Sequence, residues 1–375
     1  MITHLHIVSF DIPYPPNYGG IIDVFYKIKA LHTAGIKIHL HCFEYDRKPA
    51  PQLDFYCESI DYYPRRTGFS ANLALTPYIV ASRQSEKLLQ NLLQDDHPII
   101  FEGLHTCGFL SDNRLQNRLL IYRESNIEHH YYYYLSKAEK NWGKKMFFLV
   151  ESLRLKVFQQ TLQHASVMLT VSEEDTRYLA THFPGRKVVY LPSFHGNDRV
   201  TARSGKGTYA LYQGKLSVPE NTVAAEFLIT KVWEDSFPEL ILAGLNPPEH
   251  LVKLAGQRSN IRVVVSPGEE EMNDLVANAH INILVTFQAT GLKLKLLNAL
   301  FNGRFCLVNP AIVHGTQLGE LCTIANTSLE FKNEISTLFS KEFSESLIQQ
   351  RKDALIERYS NQNNCKLFLN ILNLS

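Results

Sequence analysis

The chain has 375 residues, 45% of them hydrophobic and 20% charged, with a formal net charge of +1. That length suits two domains of ordinary size, each with its own core, and the balanced charge leaves no electrostatic footprint for nucleic acid. No uninterrupted apolar run reaches the roughly 18 residues of a membrane span, and Met1 to Phe10 is patterned as a strand rather than as a signal peptide.

The elements follow in order. His4-Leu-His-Ile-Val-Ser-Phe10 is the first strand, with histidines along it. Asp11-Ile-Pro-Tyr-Pro-Pro-Asn-Tyr-Gly-Gly20 is a loop of turn formers. A helix runs from about Ile21 to Thr33, is ended by Gly35, and leads to a strand over Ile36–Phe43. Strand, helix, strand at the start of a chain points to a doubly wound α/β sheet. Gly19-Gly20 ends the loop and opens the helix, so the backbone there can approach a ligand closely; a plain tight turn would use the same pair.

Ser59 to Tyr63 reads as a short strand, Pro64-Arg-Arg-Thr-Gly-Phe69 as a basic loop, and residues 78–94 as a helix. His97–Gly103 is a strand that ends at Leu104-His105-Thr106. Open α/β sheets bind ligands beyond the carboxyl ends of their strands, and His105 stands at such an end, where it can donate a hydrogen bond or act as a base. It also reads as an ordinary surface histidine.

Arg118–Tyr122 is the next strand, followed by the polar cluster Arg123-Glu-Ser-Asn-Ile-Glu-His-His130. Glu128, His129 and His130 lack the i, i+4 spacing of a helical zinc site, and no metal is expected there. A long helical stretch from Tyr131 to about His164 carries Trp142, Lys144, Lys145, Phe147, Phe148, Arg154 and Lys156. That mixture suits a membrane surface or a core helix with one solvated face. Ala165–Val171 is a strand, Ser172 an N-cap before acids, and Val188–Leu191 the last strand of this half. The polar, glycine-rich residues 195–207 read as an interdomain linker.

The second half restarts the pattern. Tyr209–Gln213 is a strand, then Gly214-Lys215-Leu-Ser-Val-Pro-Glu-Asn221, then a helix to about Asp235. Glu239–Ala243 and Ile261–Ser266 are strands, and Asn246-Pro-Pro-Glu-His250 opens a helix. Pro267-Gly268 precedes an acid-capped helix at Glu269–Asn278. Ile281–Phe287 is a buried parallel strand, residues 291–302 suit a helix, Gly303 takes the place of a C′ glycine, and Arg304–Val308 is another strand. Lys293 and Lys295 fall in that helix's first turn, where cations oppose the macrodipole by roughly 0.3–1 kcal/mol each. A bound phosphate would reverse the sign; snorkelling to solvent is the plainer alternative. The tail, Phe343 to Leu374, is helical and amphipathic. The six cysteines, Cys42, Cys57, Cys107, Cys306, Cys322 and Cys365, are scattered without C-x-x-C pairs, as reduced thiols of a cytoplasmic protein would be.

Asp11…Pro15-Pro16-Asn17-Tyr18-Gly19-Gly20, then Gly214-Lys215-Leu216…Asn221, then Gly291-x-x-x-Lys295-x-x-Asn298-Ala299-x-x-x-Gly303 resembles the retaining GT-B glycosyltransferases of the family 4, or group 1, type, over nearly the whole chain. Val218-Pro219-Glu220-Asn221 and Asn246-Pro-Pro fit one branch of them. The resemblance implies two Rossmann-like α/β domains, residues 1–195 and 208–355, facing across a cleft, with residues 356–375 crossing back to the first. A UDP- or GDP-type nucleotide-sugar donor would sit mainly on the second domain. The acceptor, a glycan or a lipid-linked or protein-linked one, would sit mainly on the first. The scattered cysteines suit a cytoplasmic protein, and Arg65, Arg66, Phe69, Lys144, Lys145 and Phe147 suit peripheral contact at the inner face of the membrane.

Carried over residue by residue, Gly19 and Gly20 would lie against the donor phosphates, Lys215 and Lys295 on the diphosphate, and His105 beside the transferred sugar. Asn221, Pro267, Gly268, Thr290, Gly291, Lys293 and Asn298 would complete the donor site. No Asp-x-Asp pair is present to hold a divalent ion, so lysines and helix dipoles would stabilise the leaving group without metal or other cofactor. Three positions depart from the family pattern. Asn298 replaces a ribose-binding glutamate, Thr290 the first glutamate of E-x7-E, and Asn221 a lysine. These departures support the alternative, a non-catalytic relative that binds a glycan or a partner protein.

Overall fold

Thirteen short strands frame the described residues of the chain. A computed structural model describes residues 2–67, 76–139, 141–287 and 294–373. The strands are β1 His4–Ser9, β2 Lys37–Glu44, β3 Ser59–Pro64, β4 Ile99–Glu102, β5 Leu120–Arg123, β6 Val167–Thr170 and β7 Lys187–Tyr190, then β8 Tyr209–Gln213, β9 Glu239–Gly244, β10 Ile261–Val265, β11 Ile281–Leu284, β12 Phe305–Val308 and β13 Thr323–Ile324. The chain divides into two compact units. One holds residues up to Gly196 together with the segment from Tyr359; the other holds the described residues from Asn197 to Arg358.

In the first unit the sheet order is β3-β2-β1-β4-β5-β6-β7, every pair parallel. In the second it is β10-β9-β8-β11-β12-β13, again all parallel. The two orders are the same doubly wound order. Each reverses once, between β1 and β4 in the first sheet and between β8 and β11 in the second, and such a switch point is where ligands bind. The central strands β4, β5, β6, β11 and β12 are buried along their whole length, as strands covered by helices on both faces must be.

Alternation sorts the first sheet's side chains into two cores. Leu5, Ile7, Ile38, Leu40 and Cys42 pack on one face, where the helix Gly19–Thr33 and the closing helix Asn361–Asn373 cover them with Val24, Phe25, Ile28, Phe368 and Ile371. Val8, Phe43, Phe101, Tyr122 and Met168 pack on the other. The closing helix is fastened by Asn361, whose amide gives Nδ2–H to His195 O at 2.6 Å and takes His195 N–H on Oδ1 at 3.1 Å.

Several elements differ from the sequence-based expectation for identifiable reasons. The helix expected to run unbroken from Tyr131 to His164 is two α-helices, Glu128–Ala138 and Trp142–Phe158, followed by a 3-10 turn; Asn141 caps the second by accepting Lys144 N–H. The helix expected over 78–94 is two shorter ones, Tyr78–Ala81 and Glu86–Leu92. Strand β11 stops at Leu284 because Thr286 turns to Asn309, whose side chain accepts its N–H at 3.2 Å and donates to its carbonyl at 2.6 Å. Gly303 follows its helix without entering the left-handed region. Its missing Cβ makes room instead for Asn282, whose Nδ2 would lie 2.2 Å from that carbon. The chain passes from the first unit to the second within the polar stretch 195–207, whose later part is laid along the second unit: Thr201 and Ala202 donate to Phe301 O, and Gly205 pairs with Phe343.

Candidate functional site

The carboxyl ends of the first sheet gather a loop, a histidine and buried acids. After β1 the loop Asp11–Tyr18 is held by Arg47, which donates to Ile12 O at 3.2 Å, to Pro15 O at 2.7 Å and to Asn17 Oδ1, while Tyr18 OH donates to Asp11 Oδ2 at 2.8 Å. This presents the N-terminus of the helix Gly19–Thr33, whose N-cap Tyr18 makes no side-chain cap bond. A Cβ on Gly19 would meet nothing within 4 Å, whereas one on Gly20 would lie 2.7 Å from Phe10 Cζ. A side chain at Gly20 would therefore press on the Phe10 ring, and Gly19 leaves the helix start open.

His105 stands beyond β4, at the switch point, stacked obliquely on Phe10 at 5.2 Å between ring centroids. Gly103 precedes it with φ +70°, and a Cβ there would lie 2.9 Å from His105 Nδ1. That nitrogen is buried without a hydrogen-bond partner, although 19% of the side chain is exposed. Glu128 Oε1 lies 3.9 Å from it, with only 3% of its side chain exposed. Burial, then Arg83 and Arg65, hold His105 well below its ordinary pKa. Burial pushes the Glu128 carboxyl up to about 8, against the pull of Ser125 and Arg83. The two meet as neutral groups at neutral pH, not as an ion pair. Glu124, fully buried at the end of β5, accepts Val171 N–H and keeps Oε1 unpartnered; burial, then Asp175, raises its pKa well above normal.

Beneath these residues lies a buried cluster of two acids and two bases. Lys27 Nζ donates to Asp23 Oδ2 at 3.0 Å and to both Glu102 oxygens at 2.7 and 2.9 Å. Arg123 forks onto Asp23 at 3.0 and 3.1 Å and donates to Thr170 O and Leu191 O. Phe194 N–H completes Asp23 at 2.7 Å. Every charge is matched, which is the condition for burying charge at all. The cluster ties the helix behind Gly19-Gly20 to the ends of β4, β5 and β6.

In the second unit the turn after β8 carries Lys215, exposed. Asn221 shapes that turn: its Nδ2 donates to Lys215 O at 3.0 Å, and Tyr212 OH donates to its carbonyl and Oδ1 at 3.3 and 3.4 Å. Asn221 thus spends its amide on the loop. Gly214 passes so close to Gly244 that a Cβ on the latter would sit 1.7 Å from Gly214 O. Lys295, in the helix Leu294–Asn302, places Nζ 5.4 Å from the centroid of the Tyr212 ring, within cation–π range. The buried Tyr212 therefore stands under one lysine and, through Asn221, braces the backbone of the other.

Asn298, one turn beyond Lys295, accepts Asn302 Nδ2 on Oδ1 at 2.8 Å, and Asn302 also donates to Asn197 Oδ1. Pro267 and Gly268 follow β10, an edge strand two places from β8. Gly268 caps a helix whose first turn holds Glu269, Glu270 and Glu271, and those carboxylates already compensate its dipole and repel a phosphate. Thr290, Gly291 and Lys293 lie outside the described residues. Sequence reading missed Tyr212, Thr286 and Glu220; Thr286 Oγ1 donates to Glu220 Oε1 at the β8/β11 switch. The signal for Glu220 lay inside Val218-Pro-Glu-Asn221, where only Asn221 was assigned a role.

No protein-family model matches the chain. An uncharacterized 44.6 kDa protein in the cps region of Klebsiella pneumoniae is 24% identical over 363 residues, covering 88% of this chain and 89% of that protein. Sucrose-phosphate synthase from Thermosynechococcus elongatus superposes with a TM-score of 0.73 at 14% identity, covering 100% of both chains. Anabaena HepE in complex with UDP and glucose gives 0.67 at 12% identity, covering 100% of both. A mutant of S. aureus TarM in complex with Fondaparinux, alpha-GlcNAc-glycerol and UDP gives 0.70 at 10% identity, covering 99% of this chain and 100% of that one. The fold is GT-B. At such identities the likeness shows architecture, two Rossmann-like parallel-sheet domains, and no more.

Proposed function

We propose that this GT-B chain is a glycosyltransferase that moves a sugar from a UDP- or GDP-type nucleotide donor to a glycan, lipid-linked or protein-linked acceptor, with retention of configuration and without metal. One observation carries the reading: Lys215 and Lys295 are both organised by the Tyr212–Asn221 pair at the carboxyl ends of β8 and β11. One ammonium held over Tyr212 and a second carried on the turn that Asn221 braces suit a diphosphate, whose charge grows as it leaves. HepE, of the same fold, is solved with UDP and with UDP-glucose. Gly19 and Gly20 offer helix N–H groups to an anion, and His105, neutral and half-buried, offers a donor to a sugar hydroxyl. Pro267 and Gly268 are then left for the base or ribose.

The test is thermal shift of the full chain with UDP- and GDP-sugars, followed by transfer assays with the stabilising donor. Stabilisation by one nucleotide class supports the reading. Stabilisation by none favours the alternative, a non-catalytic glycan- or partner-binding relative. The specific observation on that side is Asn298, whose amide oxygen is already held by Asn302.

We place the enzyme at the inner face of the membrane. None of the described helices is long and apolar enough to cross a bilayer, but Trp142–Phe158 is built inside out. Trp142, Met146, Val150, Leu153 and Val157 are exposed on one stripe, while Glu151 and Ser152 are buried. Lys144, Lys145 and Lys156 are exposed on the same helix. An apolar stripe beside cations suits an anionic lipid surface.

A further inference from the structure

The geometry points to a divalent transition-metal site made by His4, His39 and His97 at the amino-terminal edge of the first sheet. Their ligating nitrogens all lie within 4.8 Å of one another, and all three side chains are partly exposed. His4 opens β1, His39 lies near the start of β2, and His97 lies two residues before β4. Register brings them together: His6 pairs with His39 and with Ile99, so His97 comes level with His4 on one side, while on the other His39, level with His6, reaches His4 diagonally. They share the sheet face that carries Val8 and Phe43 into the core.

The facing nitrogens decide the chemistry. His4 Nδ1 and His39 Nε2 are 3.0 Å apart. Two tetrahedral ligands at Zn–N distances of about 2.0–2.1 Å stand about 3.3 Å apart, so little movement converts the shared hydrogen bond into two metal–nitrogen bonds. The second observation is the hydrogen bond of His39 Nδ1 with Ser59 Oγ at 2.8 Å. With the proton on Nδ1, that bond leaves Nε2 as a bare lone pair aimed at the site, the arrangement that outer-shell partners impose on metal-binding histidines. Metal entry then needs only that His4 carry its proton on Nε2 instead of Nδ1; both rings stay neutral and no proton is lost. His97 supplies the third imidazole: its ring centroid lies 4.5 Å from that of His4 and nearly parallel to it, so a turn of the His97 ring aims its nitrogen at the ion. The neighbouring His6 is not a ligand: its nitrogens are taken by His41 at 2.9 Å and by Asp95 at 3.0 Å. A three-imidazole set suits Zn2+, Ni2+ or Cu2+ and not Mg2+ or Ca2+. The ion would join the edges of β1, β2 and the segment entering β4, at the opposite edge from His105.

The experiment uses the untagged full chain, stripped with a chelator and titrated with Co2+ under visible absorption, then with Zn2+ as competitor. One equivalent of Co2+ with the intense band of a low-coordinate site, displaced by Zn2+, is the expected result. Ser59→Ala should weaken binding by about tenfold, and His4→Ala and His39→Ala by more. His250→Ala, a solvent-exposed histidine of the second unit, should bind as the parent does. Circular dichroism of each metal-free variant shows that it is folded; His97→Asn, outside the strands, serves if a strand variant is not. No uptake by the parent chain overturns the inference. So does binding unchanged in folded His4→Ala, His39→Ala or His97→Asn.

Discussion

Glu128 Oε1 lies 3.9 Å from Nδ1 of His105, and burial keeps both groups uncharged at neutral pH. The same burial predicts a pH signature. The folded carboxyl titrates near 8 and the unfolded one near its ordinary value of 4.5. The folded state therefore binds the extra proton between those values, and stability falls as pH rises through that window. Glu128→Gln removes this dependence. Urea midpoints should show the variant gaining on the parent by a few kcal/mol, on the order of the shift itself, between pH 5 and pH 8. Equal gaps at both pH values would mean that Glu128 ionises normally.

The two lysines should differ from their neighbours in kind. Lys295→Ala and Lys215→Ala should each lower transfer by about 100-fold or more, the scale for losing one preorganised donor to a developing anion, with unchanged circular dichroism. Asn221→Ala should act more weakly and through position, because its amide touches the Lys215 carbonyl. Near-normal turnover in Lys295→Ala would remove it from the diphosphate.

Much of the frame was legible because punctuation and burial agree. Gly35 does adopt φ +84° where the first helix ends, and the short apolar runs are strands. The sites were less legible because their parts come from far apart. Asp23 and Arg123 meet across 100 positions, and nothing local at either announces the other. His39 and His97 are ordinary polar residues until parallel register sets both beside His4. The helix Trp142–Phe158 defeats amphipathic reading for another reason: its apolar stripe is obvious, but pattern alone cannot say that the stripe faces out while Glu151 accepts Tyr78 N–H inside.

The buried charge cluster predicts an asymmetry. Lys27→Met strands Glu102 and half of Asp23 without their ammonium, and should destabilise the fold by about 3–5 kcal/mol. Lys27→Met with Glu102→Gln should recover part of that loss, because the second change removes the orphaned carboxylate. Denaturant titration of the two single variants and the double variant measures the coupling; additive losses would show that the contacts seen here carry no shared energy.

The exposed stripe gives the clearest separation of stability from function. Trp142 and Val157 are each 75% exposed and Leu153 is 61% exposed, so Trp142→Glu with Leu153→Glu should leave the unfolding midpoint within about 0.5 kcal/mol of the parent per site. Flotation with vesicles containing anionic lipid should fall sharply in this variant, and added salt should weaken the parent's binding through Lys144 and Lys145. If the parent chain does not float with such vesicles, the membrane reading fails. If it floats and the double variant floats equally well, the contact lies on another face.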